Sequence, residues 1–160
     1  MHSSVFTIFA CVSITFVAHV ASEGCRPWNA GPPCPSKWHH RRASCYLITE
    51  STIKWSDARA ECGNLGGVLA VPRSQEEHDF IMSFLPGYGG RAWIDCNDQT
   101  TEGIWGCTEG GVEVQYRNWD RGQAGKNAAE DCAVIRSDLL GWHDFPCHFL
   151  IPAVCKKPAM

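Results

Sequence analysis

The stretch RGQAGKNAAEDC, Arg121 to Cys132, is short of apolar residues and ends in two acids and a cysteine. It reads as a loop built to hold something, although Lys126 and a run of small residues occupy its middle. A charged run is ordinarily a solvated face, so residue type alone assigns no site here. Cysteine is the other reactive side chain in quantity, with ten in the chain. No CxxC pair occurs, and no Ser/His/Asp or Cys/His pattern suggests nucleophilic catalysis, so an enzyme is not expected.

The 160 residues are one domain's worth. Val5 to Val20 carries no Asp, Glu, Lys or Arg, and small residues precede Glu23. A spanning helix needs roughly 18 or more apolar residues, so residues 1–22 are expected to be a cleaved secretory signal, although a basic n-region is missing. No other stretch is apolar enough to insert in a membrane. The net charge of −3 is too mild to predict a nucleic-acid partner. Cys11 leaves with the signal; nine cysteines remain, and a secreted chain is expected to pair them. Nine is odd. Cys25, in the Pro- and Gly-rich extension 23–33, is the candidate left over, either linking a homodimer or capping a small thiol.

The elements that must carry the loop follow from periodicity. Ser44–Ile48 is β-prone, and Cys34 can reach back to Cys45 across a hairpin. Trp55, Ala58, Cys62 and Leu65 fall on one helical face, which Gly66-Gly67 terminates. Ser74 and Glu77 form a capping box for a second helix, with Phe80, Ile81, Phe84 and Leu85 inward and Pro86-Gly87 ending it. His78, among acids, is expected on the solvated face. RAWID, VEVQYRNW, CAVIRS and PAVCKK are short β-like runs between polar loops. Two helices followed by short strands and long loops indicate a secreted, disulfide-stapled α+β domain.

Six motifs in order then carry a resemblance. CPSKWHHRRASCYLI, WSDARAECGNLGGVLAVPRSQEEHDFI, WIDCNDQTTEGIW, NWDRGQAGKNAAEDC, GWHDFPC and PAVCKK together resemble the C-type lectin-like domain, over residues 34–157. The resemblance implies pairing of Cys62 with Cys155, Cys132 with Cys147 and Cys34 with Cys45. Cys96 and Cys107 depart from the family pattern together, and are expected to form an extra disulfide.

In sugar-binding members, calcium is held jointly by the protein and two sugar hydroxyls, which suits a hard cation taking about six to eight oxygens. Carried over by motif, Gln123, Glu130, His143 and Asp144 stand at the sugar and calcium position. Asp98, Glu102, Glu130 and Asp131 stand at a second calcium position. The departures are as informative. Gln123-Ala124-Gly125 replaces E-P-N or Q-P-D, which removes the cis proline and one ligand. A non-proline cis bond costs about 2.5–4 kcal/mol, so the loop is expected to adopt another shape. His143 replaces an asparagine oxygen by an imidazole nitrogen, and Lys126 adds a cation. A softer ion such as zinc could draw on His143, Asp144, Glu130 and His148. His39-His40-Arg41-Arg42 could meet sulfated or acidic glycans, although such a cluster is more often a solvated turn. The tryptophans are expected to pack rather than stack on sugars. The expected function is secreted recognition of glycans on microbial or cell surfaces in innate defence, with calcium optional. The alternative is a protein-interaction or structural module with a decayed calcium site.

Overall fold

The computed structural model describes residues 34–85, 90–125 and 127–160. The expected signal, the extension with Cys25, the Pro86-Gly87 stop and Lys126 lie outside them. Along the described residues run β1 (His39–Arg41), β2 (Ser44–Ile48), α1 (Trp55–Asn64), β3 (Val68–Leu69) and α2 (Gln75–Met82). They are followed by β4 (Arg91–Asn97), β5 (Gly106–Glu109), β6 (Val112–Glu113), β7 (Cys132–Arg136), β8 (Trp142–Phe145) and β9 (Val154–Pro158). This is an α+β fold of two antiparallel sheets, ordered β1-β2-β9-β3 and β6-β5-β4-β7-β8.

Helix α1 buries Trp55, Ala58 and Cys62 on the face the spacing predicts. Its end is set by Gly66, whose φ of 75° is a left-handed conformation that glycine adopts without a Cβ penalty. Helix α2 begins at Ser74, whose hydroxyl accepts from the Glu77 N–H at 3.2 Å. The return bond of the capping box lands one residue early, because Glu77 accepts from the Arg73 N–H. Its other oxygen is drawn to Tyr46 and Lys156.

Two expectations are corrected. His78 is buried, only 2% exposed, and packs against Trp142 rather than facing water. Of VEVQYRNW, only Val112–Glu113 is a strand. The Arg117 guanidinium bonds the carbonyls of Val114, Tyr116 and Trp105 there, taking acceptors that a ladder would have used.

The core lies in two clusters. One packs Tyr46, Ile81, Ile94, Ile135 and Trp142 between α2 and the larger sheet. The other packs Trp55, Leu69, Trp93 and Val134 beneath α1. The tryptophan indoles bond backbone as well as pack: Trp55 donates to the Ile94 carbonyl and Trp93 to that of Ile53, both at 2.9 Å. Four disulfides brace this frame: Cys34–Cys45, Cys62–Cys155, Cys96–Cys107 and Cys132–Cys147. Cys96 and Cys107 stand opposite each other across β4 and β5, so the departing pair is a cross-strand staple.

Candidate functional site

The long loop hangs from β8. Trp142 donates its backbone N–H to the Asn118 carbonyl at 2.6 Å, and its own carbonyl accepts from the Asp120 N–H at 3.0 Å. Gly141 makes this approach feasible, since a Cβ there would lie 2.5 Å from the Asp120 nitrogen. Strand alternation then turns His143 and Asp144 to opposite sides.

Asp144 is buried, and its Oδ2 accepts from the Gly125 N–H at 2.8 Å. A Cβ on Gly125 would stand 3.4 Å from the same oxygen, an ordinary contact, so the bond does not depend on the missing side chain. Ala124, immediately before, sits at φ 58°, and no cis peptide occurs among the described residues. The loop therefore takes the different shape expected once proline is lost. Left-handed backbone costs an L-residue roughly 1–2 kcal/mol, offset in part by the Asp144 bond.

The remaining candidates are tied to near neighbours. His143 Nε2 lies 3.3 Å from Asp120 Oδ2. The Asp120 carboxyl is held below its usual range, first by the Arg121 N–H and then by His143. Glu130 Oε2 accepts from the Asn127 amide at 2.7 Å, and the Glu130 N–H donates back to the Asn127 carbonyl. Gln123 is half-buried, its N–H donating to the Asp120 carbonyl.

At the second position, Asp98 is 3% exposed. Its Oδ2 accepts from the Gly103 N–H at 2.7 Å, and its own N–H donates to the Asp131 carbonyl. Its Oδ1 is buried without a hydrogen-bond partner among the described residues. Burial raises the Asp98 pKa, helped by the charges of Asp131 and Asp144. Glu102 is exposed on the turn that presents Gly103, and Asp131 is half-buried.

These residues do not fit an ion in this arrangement. Calcium needs about six to eight oxygens. Among the described residues no group of three or more His, Cys, Asp or Glu side chains is placed to hold a metal. Asp144, Glu130 and His143 are committed to Gly125, Asn127 and Asp120, whereas the orphaned Asp98 Oδ1 points the other way. The zinc set does not assemble either: His148 is exposed, its ring against Phe149. In the first hairpin, His39 stacks on Phe84 and Arg41 lies over Phe80, while His40 and Arg42 are exposed.

The sequence does not single out Asp120 or Asn127, the two residues that hold His143 and Glu130. The Asn127 partnership spans three positions and was open to sequence inspection. The Asp120 partnership exists only once β8 is laid beside residues 118–120.

Comparison with known proteins places this geometry. Residues 51–157 match the family profile described as Lectin C-type domain. The chain is 30% identical over 160 residues to the galactose-specific lectin nattectin of Thalassophryne nattereri, covering 98% of this chain and 96% of that protein. It is 32% identical over 130 residues to mouse C-type lectin domain family 4 member E, covering 78% of this chain and only 60% of that protein. Among solved structures, a calcium-independent type II antifreeze protein superimposes with a TM-score of 0.72 at 27% identity, over 82% of this chain and 99% of that one.

Proposed function

The chain belongs to the C-type lectin domain family, and from that premise we propose that it is an extracellular recognition protein whose long loop meets galactose-class glycans without a calcium ion. The Asp144–Gly125 bond carries this reading, because the acid at the sugar-coordinating position closes the loop by itself. Recognition would then rest on direct hydrogen bonds from loop side chains and backbone, such as Gln123. The likeness to the galactose-specific lectin nattectin supports the sugar class, and the neighbour described as a calcium-independent type II antifreeze protein supports a member of this fold that acts without the ion. Among the described residues no helix is long and apolar enough to cross a membrane, and four disulfides suit an oxidising compartment.

Secretion through the 1–22 signal, a Cys25-linked dimer and a role in innate defence at microbial or cell surfaces belong to the same proposal. A glycan array probed in calcium and again in a chelator tests it. Binding of galactose-terminated glycans under both conditions is the expected result. Binding abolished by the chelator contradicts the calcium-free part, and an empty array contradicts the sugar part. The second reading, recognition of a protein surface, draws on Phe149 and Leu150, exposed at 45% and 62% just before β9.

A further inference from the structure

We infer that His78 is an acid-sensitive latch on the long loop: its protonation breaks the bond to the Trp142 indole and loosens the strand from which the loop hangs. The consequence for ligand rests on the recognition role proposed above; the latch itself does not.

His78 projects from α2 toward the turn at 137–141 and strand β8. Its Nδ1 accepts from the Trp142 Nε1–H at 3.3 Å. Its ring also hydrogen-bonds the Leu140 backbone, whose carbonyl takes the Asn118 amide as well. The two bonds select one neutral tautomer, with an acceptor toward Trp142 and a donor toward Leu140. A second proton has to enter at Nδ1, which would set N–H against N–H. The imidazolium therefore cannot keep the Trp142 bond, whatever else it gains.

The surroundings favour the neutral form. Of the described residues lining the adjoining cavity of about 580 Å³, Asp79 is the charged one; Gln75, Ser83, Asn118 and Ser137 are neutral. Tyr116, packed on the far side of Trp142, donates a hydrogen bond from its hydroxyl to the Gln75 side-chain oxygen. Arg136 and Asp138, at the base of the turn, close on each other. Burial outweighs the pull of Asp79 and holds the His78 pKa below its ordinary value. Trp142 then transmits the change. It is fully buried, bonded through its backbone to Asn118 and Asp120, and edge-on to Trp119. Two residues further on, Asp144 holds Gly125.

The sign follows from linkage. A buried histidine that resists protonation binds fewer protons folded than unfolded, so its contribution is present above the unfolded value near 6.5 and is lost as pH falls through the depressed folded value. Within that window the unfolding equilibrium constant should rise by up to about tenfold per pH unit.

Heteronuclear NMR of the full chain, titrated from about pH 7.5 to about pH 5, tests this. The Trp142 indole N–H and the Gly125 amide should shift together along a one-proton curve. In His78→Asn, whose Oδ1 accepts from the indole but does not titrate, both should stay still. The same shifts in the variant, or an indole that moves while Gly125 does not, would overturn the latch. If the variant does not fold, the His78 ring protons of the native chain decide: titration at or above the ordinary histidine value overturns it. Galactose-glycan binding should weaken over the same range. Absence of binding at every pH counts against the functional reading alone, because the NMR curve is independent of ligand.

Discussion

Two sets of buried acids are partnered differently. In the scaffold, Glu77 and Glu109 converge on Lys156, at 2.8 and 3.1 Å, with Tyr46 donating to Glu77 and Arg73 pairing with Glu109. Asp95 likewise takes Arg59 at 2.7 Å. In the loop, Asp98 and Asp144 accept from the backbone amides of Gly103 and Gly125. Scaffold acids thus carry their counter-cations within the chain, locking α2, β5 and β9 together. Loop acids rest on single neutral donors, which hold a shape and leave the negative charge in place. The difference separates a frame held by paired charges from a loop held by single neutral hydrogen bonds.

Breaking the scaffold side should have the largest effect. Lys156→Met leaves Glu77 and Glu109 without the cation they share, and removing one partner of a buried pair costs about 3–5 kcal/mol. Urea unfolding should show a fall of about 3 kcal/mol, since Arg73 still covers part of Glu109. Loss below about 1 kcal/mol would mean that the network is dispensable. A smaller effect is expected from removing the staple. Cys96→Ala with Cys107→Ala opens a closure spanning a sequence separation of 11, which chain entropy values at about 2–3 kcal/mol. Its denaturation midpoint should drop while the glycan profile stays the same.

On the loop side the effects should be weaker. Asp144→Ala removes the acceptor of the Gly125 N–H and should cost about 1–3 kcal/mol, with Asp144→Asn recovering part because an amide oxygen still accepts. Equal losses in both variants would show that the charge, not the hydrogen bond, closes the loop. The smallest change should be a gain. Ala124→Gly relieves a φ of 58°, partly cancelled by the freer unfolded chain, for a net stabilisation of about 0.5 kcal/mol.

The same contrast explains what could be read from the sequence. The scaffold is written in local patterns, Trp55, Ala58 and Cys62 at helical spacing and Ser74 as a cap, while Cys96 and Cys107 stand out only against the family motif they depart from together. His78 was hidden by its acidic neighbours, although it shares a helical stripe with Ile81 and Leu85 at steps of three and four. Its partners Trp142 and Leu140 come from over sixty residues away. In the loop, motif positions identified the acids but not their partners. The Asp144–Gly125 bond depends on Ala124 turning left-handed, which no periodicity encodes. VEVQYRNW has the composition of a longer strand than it forms, because Arg117 competes for its carbonyls.

In the proposed calcium-free loop, the Gly125 N–H bond to Asp144 does the closing. Comparing the thermal unfolding midpoint in millimolar calcium and in a chelator tests it most directly. A ligand present at 100 times its dissociation constant stabilises by about 2.7 kcal/mol, which a midpoint registers readily. Coincident midpoints are the predicted result; a clear rise with calcium would contradict the account.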